Sequence, residues 1–350
     1  MTDSVARGAA AADGRRRTAD IIFRSALAFN AALTLFWLLT FLGGGSFFFE
    51  DYRVDGETVG RILSGVLFFY VIWGVIWWAI KGALLRWFVG FTPQERRDAF
   101  SSRMDRPYDV GDLVSRYSER RIRITDMIGR RGRFITLAVA GLYYLYLQVA
   151  QEQQADFATA FLQDNLLDGV VTSWIFLGFY YVSRLPGAFF YGPQSRVMDG
   201  TLARANCLLI ATLWTAFKFV MVPIGVQLAA VFPKEEFAPV FALIWGSYLV
   251  TDTSAEVFGS LFGAQRIRVW GIGDVNRKSI AGIVAGFLSA LIFCVWVVTA
   301  HGLGAPWLIL SVVLALSNTV FELYSPRGTD DFTMATANAL ICWAFGVWLR

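Results

Sequence analysis

An all-α, polytopic integral membrane protein of about nine transmembrane helices is predicted by three observations. Of the 350 residues, 56% are hydrophobic and only 17% are charged, against roughly 45–50% and about 25% in soluble chains. The apolar residues fall in uncharged runs near the roughly 17–25 residues a helix needs to cross about 30 Å of hydrocarbon. Arginine and lysine gather in alternate connections between those runs, as positively charged loops that resist translocation do. A soluble fold of this length has no core large enough for so much apolar surface. A net charge of +4 on a chain of mean hydropathy +0.51 excludes disorder and a nucleic-acid-binding face.

Residues 1–24 form a polar tail with Arg15-Arg16-Arg17 and no apolar run before Ile21, so they do not read as a secretory signal. Spans one and two, within residues 25–91, are Ser25 to Leu42 and Ile62 to Ile80. Residues 92–133 are a basic connection with eleven arginines, mixed with isolated apolar residues. That pattern fits both an interfacial helix on anionic membrane lipid and a loop that only sets topology. Residues 134–232 hold three spans, Phe134 to Ala150, Leu166 to Leu185 and Ala205 to Phe232. Residues 238–349 hold most of four more: Phe237 to Thr251, Ser279 to Ala300, Pro306 to Phe321 and Phe332 to Leu349.

With the N-terminus in the cytoplasm, the inner connections collect nearly all the arginines and the C-terminus lies outside. The outer ones hold Arg53 among acids and Lys234 beside Glu235 and Glu236, with no Lys or Arg between Gln151 and Asn165. An eight-span chain would invert half of this asymmetry. Cys207, Cys294 and Cys342 lie in apolar runs, which gives neither a disulfide framework nor zinc spacing. The only histidine, His301, sits in a short connection without a partner to orient it.

Ionisable residues at depth are costly in a membrane, so each asks for a partner or a task. Lys218, in mid-span, reads either as a counter-ion or phosphate ligand, or as one half of a structural ion pair. The inner face of the last four spans is richer. Asp252 and Glu256 are four apart, so on a helix their carboxylates share a face and need a cation or a proton between them. Gly259 and Gly263 follow, then a basic loop ending in Arg277 and Lys278, then Ser279, placed to cap span seven where free N–H groups favour phosphate. Glu322, Asp330 and Asp331 add carboxylates on the same side. The glycine pairs 259/263 and 282/286 also fit close helix packing and nothing more.

Residues 238–344 resemble the polyprenol, phytol and dolichol kinase family, relatives of the CDP-diacylglycerol synthases. The likeness rests on Asp252-Thr-Ser-Ala-Glu-Val-Phe-Gly-Ser-Leu-Phe-Gly263, on Asn276-Arg-Lys-Ser-Ile-Ala-Gly282, and on Glu322-Leu-Tyr-Ser-Pro-Arg-Gly-Thr-Asp-Asp-Phe-Thr333. The chain departs from the family pattern at Ser260, where arginine is usual, Ile283, usually serine, Asp331, usually asparagine, and Ala335, usually proline. The resemblance implies CTP-dependent phosphorylation of a lipid alcohol drawn from the bilayer, at the cytoplasmic face of a bacterial-type plasma membrane. In that scheme Asp252, Glu256 and Asp330 hold Mg²⁺, and Arg277, Lys278 and the helix start at Ser279 take phosphate oxygens. Gly259 and Gly263 admit the nucleotide, and Asp252 or Glu322 orients the alcohol. Two alternatives stand beside it: a cytidylyltransferase that makes a CDP-lipid, and a non-catalytic transporter or scaffold on a degenerate kinase-like fold.

Overall fold

The computed structural model describes residues 2–42, 60, 73–101, 110–132, 169–182, 191–269, 277–325 and 329–349. Apart from two three-residue strands, its regular elements are helical: α1 (Thr2–Leu42), α2 (Trp73–Leu84), α3 (Pro93–Ser101), α4 (Val110–Arg116), α5 (119–132) and α6 (Gly169–Phe179). Then come α7 (Ala203–Val231), α8 (Lys234–Phe262), β1 (Arg266–Arg268), β2 (Arg277–Ser279), α9 (Ile280–Ala300), α10 (Ala305–Tyr324) and α11 (Asp330–Leu349). A π turn, Leu85–Val89, continues α2, and a 3₁₀ turn, Val197–Leu202, leads into α7.

Four helices are long and apolar enough to cross a membrane among the described residues: Arg17–Leu39 within α1, and α9, α10 and α11. The two halves of α7, bent by 41° next to Pro223, where the ring removes a backbone donor, make a fifth when counted as one span. The protein is therefore an all-α membrane protein. Span three lies wholly outside the described residues, as do residues 62–72 of span two. Span four is represented by the short apolar helix α6. Span six lies inside the 29-residue α8, which runs on past Thr251 through both carboxylates and Gly259. The N-terminal tail joins the first span in one 41-residue helix, because its Ala- and Arg-rich sequence favours helix throughout.

The largest core lies among α7 to α11, where Phe217, Leu243, Leu314 and Met334 meet. Small residues set the spacing of α8 and α9. A Cβ at Gly282 would lie 2.5 Å from the Ala255 carbonyl oxygen, and one at Gly286 would lie 3.2 Å from that of Thr251. The packing reading of these glycines is therefore realised in the helix pair. A second core joins α1, α6 and the first half of α7 through Ala26, Tyr180 and Leu208. A third gathers Leu85, Phe100, Leu113, Ile122 and Val197.

Where it is described, the basic connection is mostly helical, and α5 packs into the interior. Gly129 and Gly132 on α5 leave room for the Lys81 stem and the Trp77 ring of α2. Lys81 crosses Gly129 to reach Asp126 at 3.0 Å and the carbonyls of Gly192 and Ser195, all in the interior. A buried ammonium held by one carboxylate and two carbonyls fixes α5 in place.

Candidate functional site

Asp252 on α8, Glu322 on α10 and Asp330 at the start of α11 come together at one end of the helix bundle. Each offers a carboxylate oxygen, and the three lie within 4.8 Å of one another. Three helices are needed to assemble them: Glu322 lies in the last turn of α10 and Asp330 begins α11, whereas Asp252 lies ten residues before the end of α8. The Lys278 ammonium lies 2.7 Å from Glu322 Oε1 and 3.4 Å from Asp330 Oδ2, and also donates to the Glu322 carbonyl. Burial alone would push the lysine down, but the charges of Glu322 and Asp330 raise it above its ordinary value, so it stays protonated.

The hairpin puts Lys278 there. β1 and β2 pair antiparallel, with Arg266 opposite Ser279, Ile267 opposite Lys278 and Arg268 opposite Arg277. Ser279 then caps α9, its hydroxyl accepting from the Gly282 amide at 3.0 Å. Gly259 and Gly263 face this cap: a Cβ on Gly259 would come within 2.8 Å of Ser279 Oγ. The glycines thus let the capped start of α9 approach α8, and Gly259 also borders the cavity.

Asp252 and Glu256 do share a face of α8, and the cation between them is the Arg131 guanidinium. It meets Asp252 at 2.5 and 2.6 Å through two nitrogens and Glu256 through Nε. Arg130 and Arg196 add contacts to Glu256 at 2.5 and 3.1 Å. Glu256 was expected to ligate Mg²⁺ with Asp252 and Asp330. The structure surrounds it with three arginines and brings Glu322 to that group instead. The physical reason is α5, which delivers guanidiniums to the α8 face that sequence spacing left open.

A cavity joins these groups. Its wall includes Asp252, Glu322, Asp330, Lys278, Ser279 and Arg277, and also Arg123, Asp126 and Arg196 from the preceding part of the chain. Ser260 and Ile283, two of the departures from the family pattern, border the same cavity. Of the other two, Ala335 is buried in the main core, and Asp331 is part-buried in the first turn of α11. Asn276 and the Pro326-Arg327-Gly328 stretch of the third motif lie outside the described residues. Lys218 is not brought to this site: its stem rests on α6, where a Cβ on Gly169 would lie 3.0 Å from Lys218 Cδ.

The donor set suits a hard divalent cation, which takes carboxylate oxygens. One observation points into the cluster: Glu322 Oε2 is buried and has no hydrogen-bond partner, on a residue only 6% exposed. A carboxylate oxygen in that position lacks a donor or a cation. The residues therefore fit Mg²⁺ at Asp252, Glu322 and Asp330.

Arg123, Arg130, Arg131 and Arg196 are the site residues that sequence reasoning missed. Their charge served there only as a topology signal. The apolar residues Ile122, Thr125-flanked Ile124 and Met127, interleaved with those arginines, were the available sign of a helix with a packed face. Neither family models, nor curated proteins, nor solved structures give a match to this chain.

Proposed function

We propose that the protein is a phosphotransferase that moves the γ-phosphoryl group of CTP to the hydroxyl of a membrane lipid alcohol, such as a polyprenol, phytol or farnesol. The site lies at the cytoplasmic face of a bacterial-type plasma membrane, in a chain of nine spans with its N-terminus inside and C-terminus outside. The observation that carries the reading is the convergence of Asp252, Glu322 and Asp330 from three helices beside Lys278, with Glu322 Oε2 left unpartnered.

Phosphoryl transfer chiefly needs positioning and charge neutralisation. Mg²⁺ held by Asp252, Glu322 and Asp330 would supply neutralisation for the phosphate oxygens. Lys278 binds the transferred phosphate by exchanging its carboxylate partners for phosphate oxygens, Arg277 beside it adds a second cation, and the Ser279 cap fixes the start of α9 next to them. Glu322 is the better proton acceptor, since Arg131 engages both oxygens of Asp252, whereas Glu322 Oε2 has no hydrogen-bond partner. Its Oε1, released when Lys278 turns to phosphate, would be the oxygen left for the metal. The alcohol O–H bond breaks towards Glu322 as its oxygen bonds to the γ-phosphorus. The bond from that phosphorus to the β-bridging oxygen breaks, and CDP leaves with the electron pair. Glu322 then passes the proton to water.

A second reading, a non-catalytic transporter or scaffold, is favoured by the same ion pairs, because each carboxylate of the trio already faces Arg131 or Lys278. One experiment separates the possibilities. Purified protein is incubated with labelled CTP, Mg²⁺ and a panel of phytol, farnesol, undecaprenol and diacylglycerol. Phosphorylated lipid with CDP supports the kinase. Released pyrophosphate and a CDP-lipid, formed when a lipid phosphate is supplied, identify a cytidylyltransferase. Folded protein that forms neither product sinks the enzymatic readings.

A further inference from the structure

One wall of the cavity comes from the part of the chain that carries none of the three motifs. Arg123 on α5 and Arg196, just ahead of the 3₁₀ turn, line it together with Arg266 on β1 and Arg277 on β2. Their side chains are largely withdrawn from solvent, 22% exposed for Arg123 and 26% for Arg196. Neither has a carboxylate to itself. Arg123 and Arg266 divide Glu119, at 2.6 and 2.9 Å, and Arg196 is one of three arginines on Glu256. Two guanidiniums on Glu119 in a partly buried place are costly unless a further anion joins them, whereas around Glu256 the charges of Asp252 and Asp199 add to the balance. Burial and the charge of Arg266 both push Arg123 below its ordinary value, as expected of a cation short of counter-charge.

A chain of phosphates, longer than a single one, can meet cations on several separate segments while its end lies among the acids. Arg196 rests on Glu256, one helical turn, about 5.4 Å, from Asp252. We infer that Arg123 and Arg196 form a polyphosphate-binding wall that grips the phosphate chain of a nucleoside triphosphate while its terminal phosphate reaches the acidic trio. This rests on the phosphotransfer reading above. The planar fork of arginine suits phosphate oxygens, and Glu119 and Glu256 hold the forks in place until the anion arrives.

The test is calorimetric titration of the full chain in neutral detergent with sodium tripolyphosphate, and separately with mixed micelles containing phosphatidic acid. Tripolyphosphate should bind, and Arg123→Gln and Arg196→Lys should each weaken it about tenfold, the loss of one charge-assisted contact. Arg97→Gln, whose side chain faces Gln94 on the exposed α3, serves as the unaffected control. Arg196→Lys keeps the charge, and Glu256 keeps Arg130 and Arg131, so folding is retained; the thermal midpoint checks this. Unchanged tripolyphosphate affinity in both folded variants overturns the inference. Arginine-dependent binding of phosphatidic acid alone overturns it too, and assigns the wall to a lipid headgroup. Arginine-dependent tripolyphosphate binding by a protein that phosphorylates no lipid keeps the wall and removes the kinase. An active kinase whose KM for CTP is unmoved in both variants does the reverse.

Discussion

Three helices, α8, α10 and α11, carry two polar clusters one to two turns apart, built on opposite terms. In the deeper one, Asn318 donates to Ser247 Oγ at 3.1 Å, and Asn338 donates to Ser247 Oγ at 3.0 Å and to Asn318 Oδ1 at 2.9 Å. All three residues are fully buried. In the other, Asp252, Glu322 and Asp330 border a cavity and face Arg131 and Lys278. Neutral amides can hydrogen-bond one another inside a bundle and join helices, here with Asn338 Oδ1 left without a partner. Carboxylates need cations and access to solvent or ligand, so they sit where α5 and the hairpin deliver them. The contrast separates polar groups that assemble the bundle from polar groups that assembly makes available for chemistry.

The sharpest break of this contrast is Glu322→Gln. Lipid phosphate formation should fall about 10²–10⁴-fold, the range for losing a proton acceptor, with helical content by circular dichroism unchanged. Activity near wild type would make the charged cluster a structural ion pair like Lys81–Asp126. Next is Gly282→Ala, which puts a methyl against the Ala255 backbone and should destabilise by about 1–3 kcal/mol in detergent unfolding. Gly178→Ala, where nothing lies within 4 Å, should not destabilise. Asn338→Leu should cost about 1 kcal/mol in the same assay and leave phosphotransfer intact, because the neutral cluster serves assembly alone. An equal loss of activity would show that the two clusters are coupled.

The smallest effect concerns Glu95. Burial raises its pKa, but hydrogen bonds from Tyr117 and from the Thr92 amide and hydroxyl outweigh this and hold it at about 2. Its share of stability is therefore complete above the ordinary carboxylate value of 4.5 and is lost as pH falls through about 2. Protection of the Thr92 amide in hydrogen exchange should be flat from pH 7 to pH 5 in native protein. Glu95→Gln should lower that protection only slightly, as exposed pairs do.

Much of the acidic side of the site was legible in the sequence. Asp252, Glu322 and Asp330 stood out because acids gather there on the inner face of the last four spans, where charge at depth is costly, and Lys278-Ser279 because a cap and a cation adjoin there. Glu256 was legible as a partner for Asp252, but the identity of the cation between them was not. That cation is Arg131, 121 residues away in sequence. Spacing arguments work within one helix, where periodicity relates neighbours; they say nothing about which other helix docks on the exposed face.

By itself the sequence determined the class of the protein, because hydrophobic run length against bilayer thickness and the composition are properties of the chain and need no partner. It also determined the amphipathic placement of acids, glycines and the Ser279 cap, each a local matter of helix period and backbone hydrogen bonding. Only the tertiary structure decided that Gly129 and Gly132 let α5 lie against α2. From this follow the guanidiniums of Arg130 and Arg131 on Glu256, while the hairpin separately pairs Lys278 with Glu322 and Asp330, and acids and arginines come to line one cavity. Such contacts depend on close packing between distant segments, where steric fit and the cost of leaving a buried charge unpaired select one arrangement from many that the pattern allows.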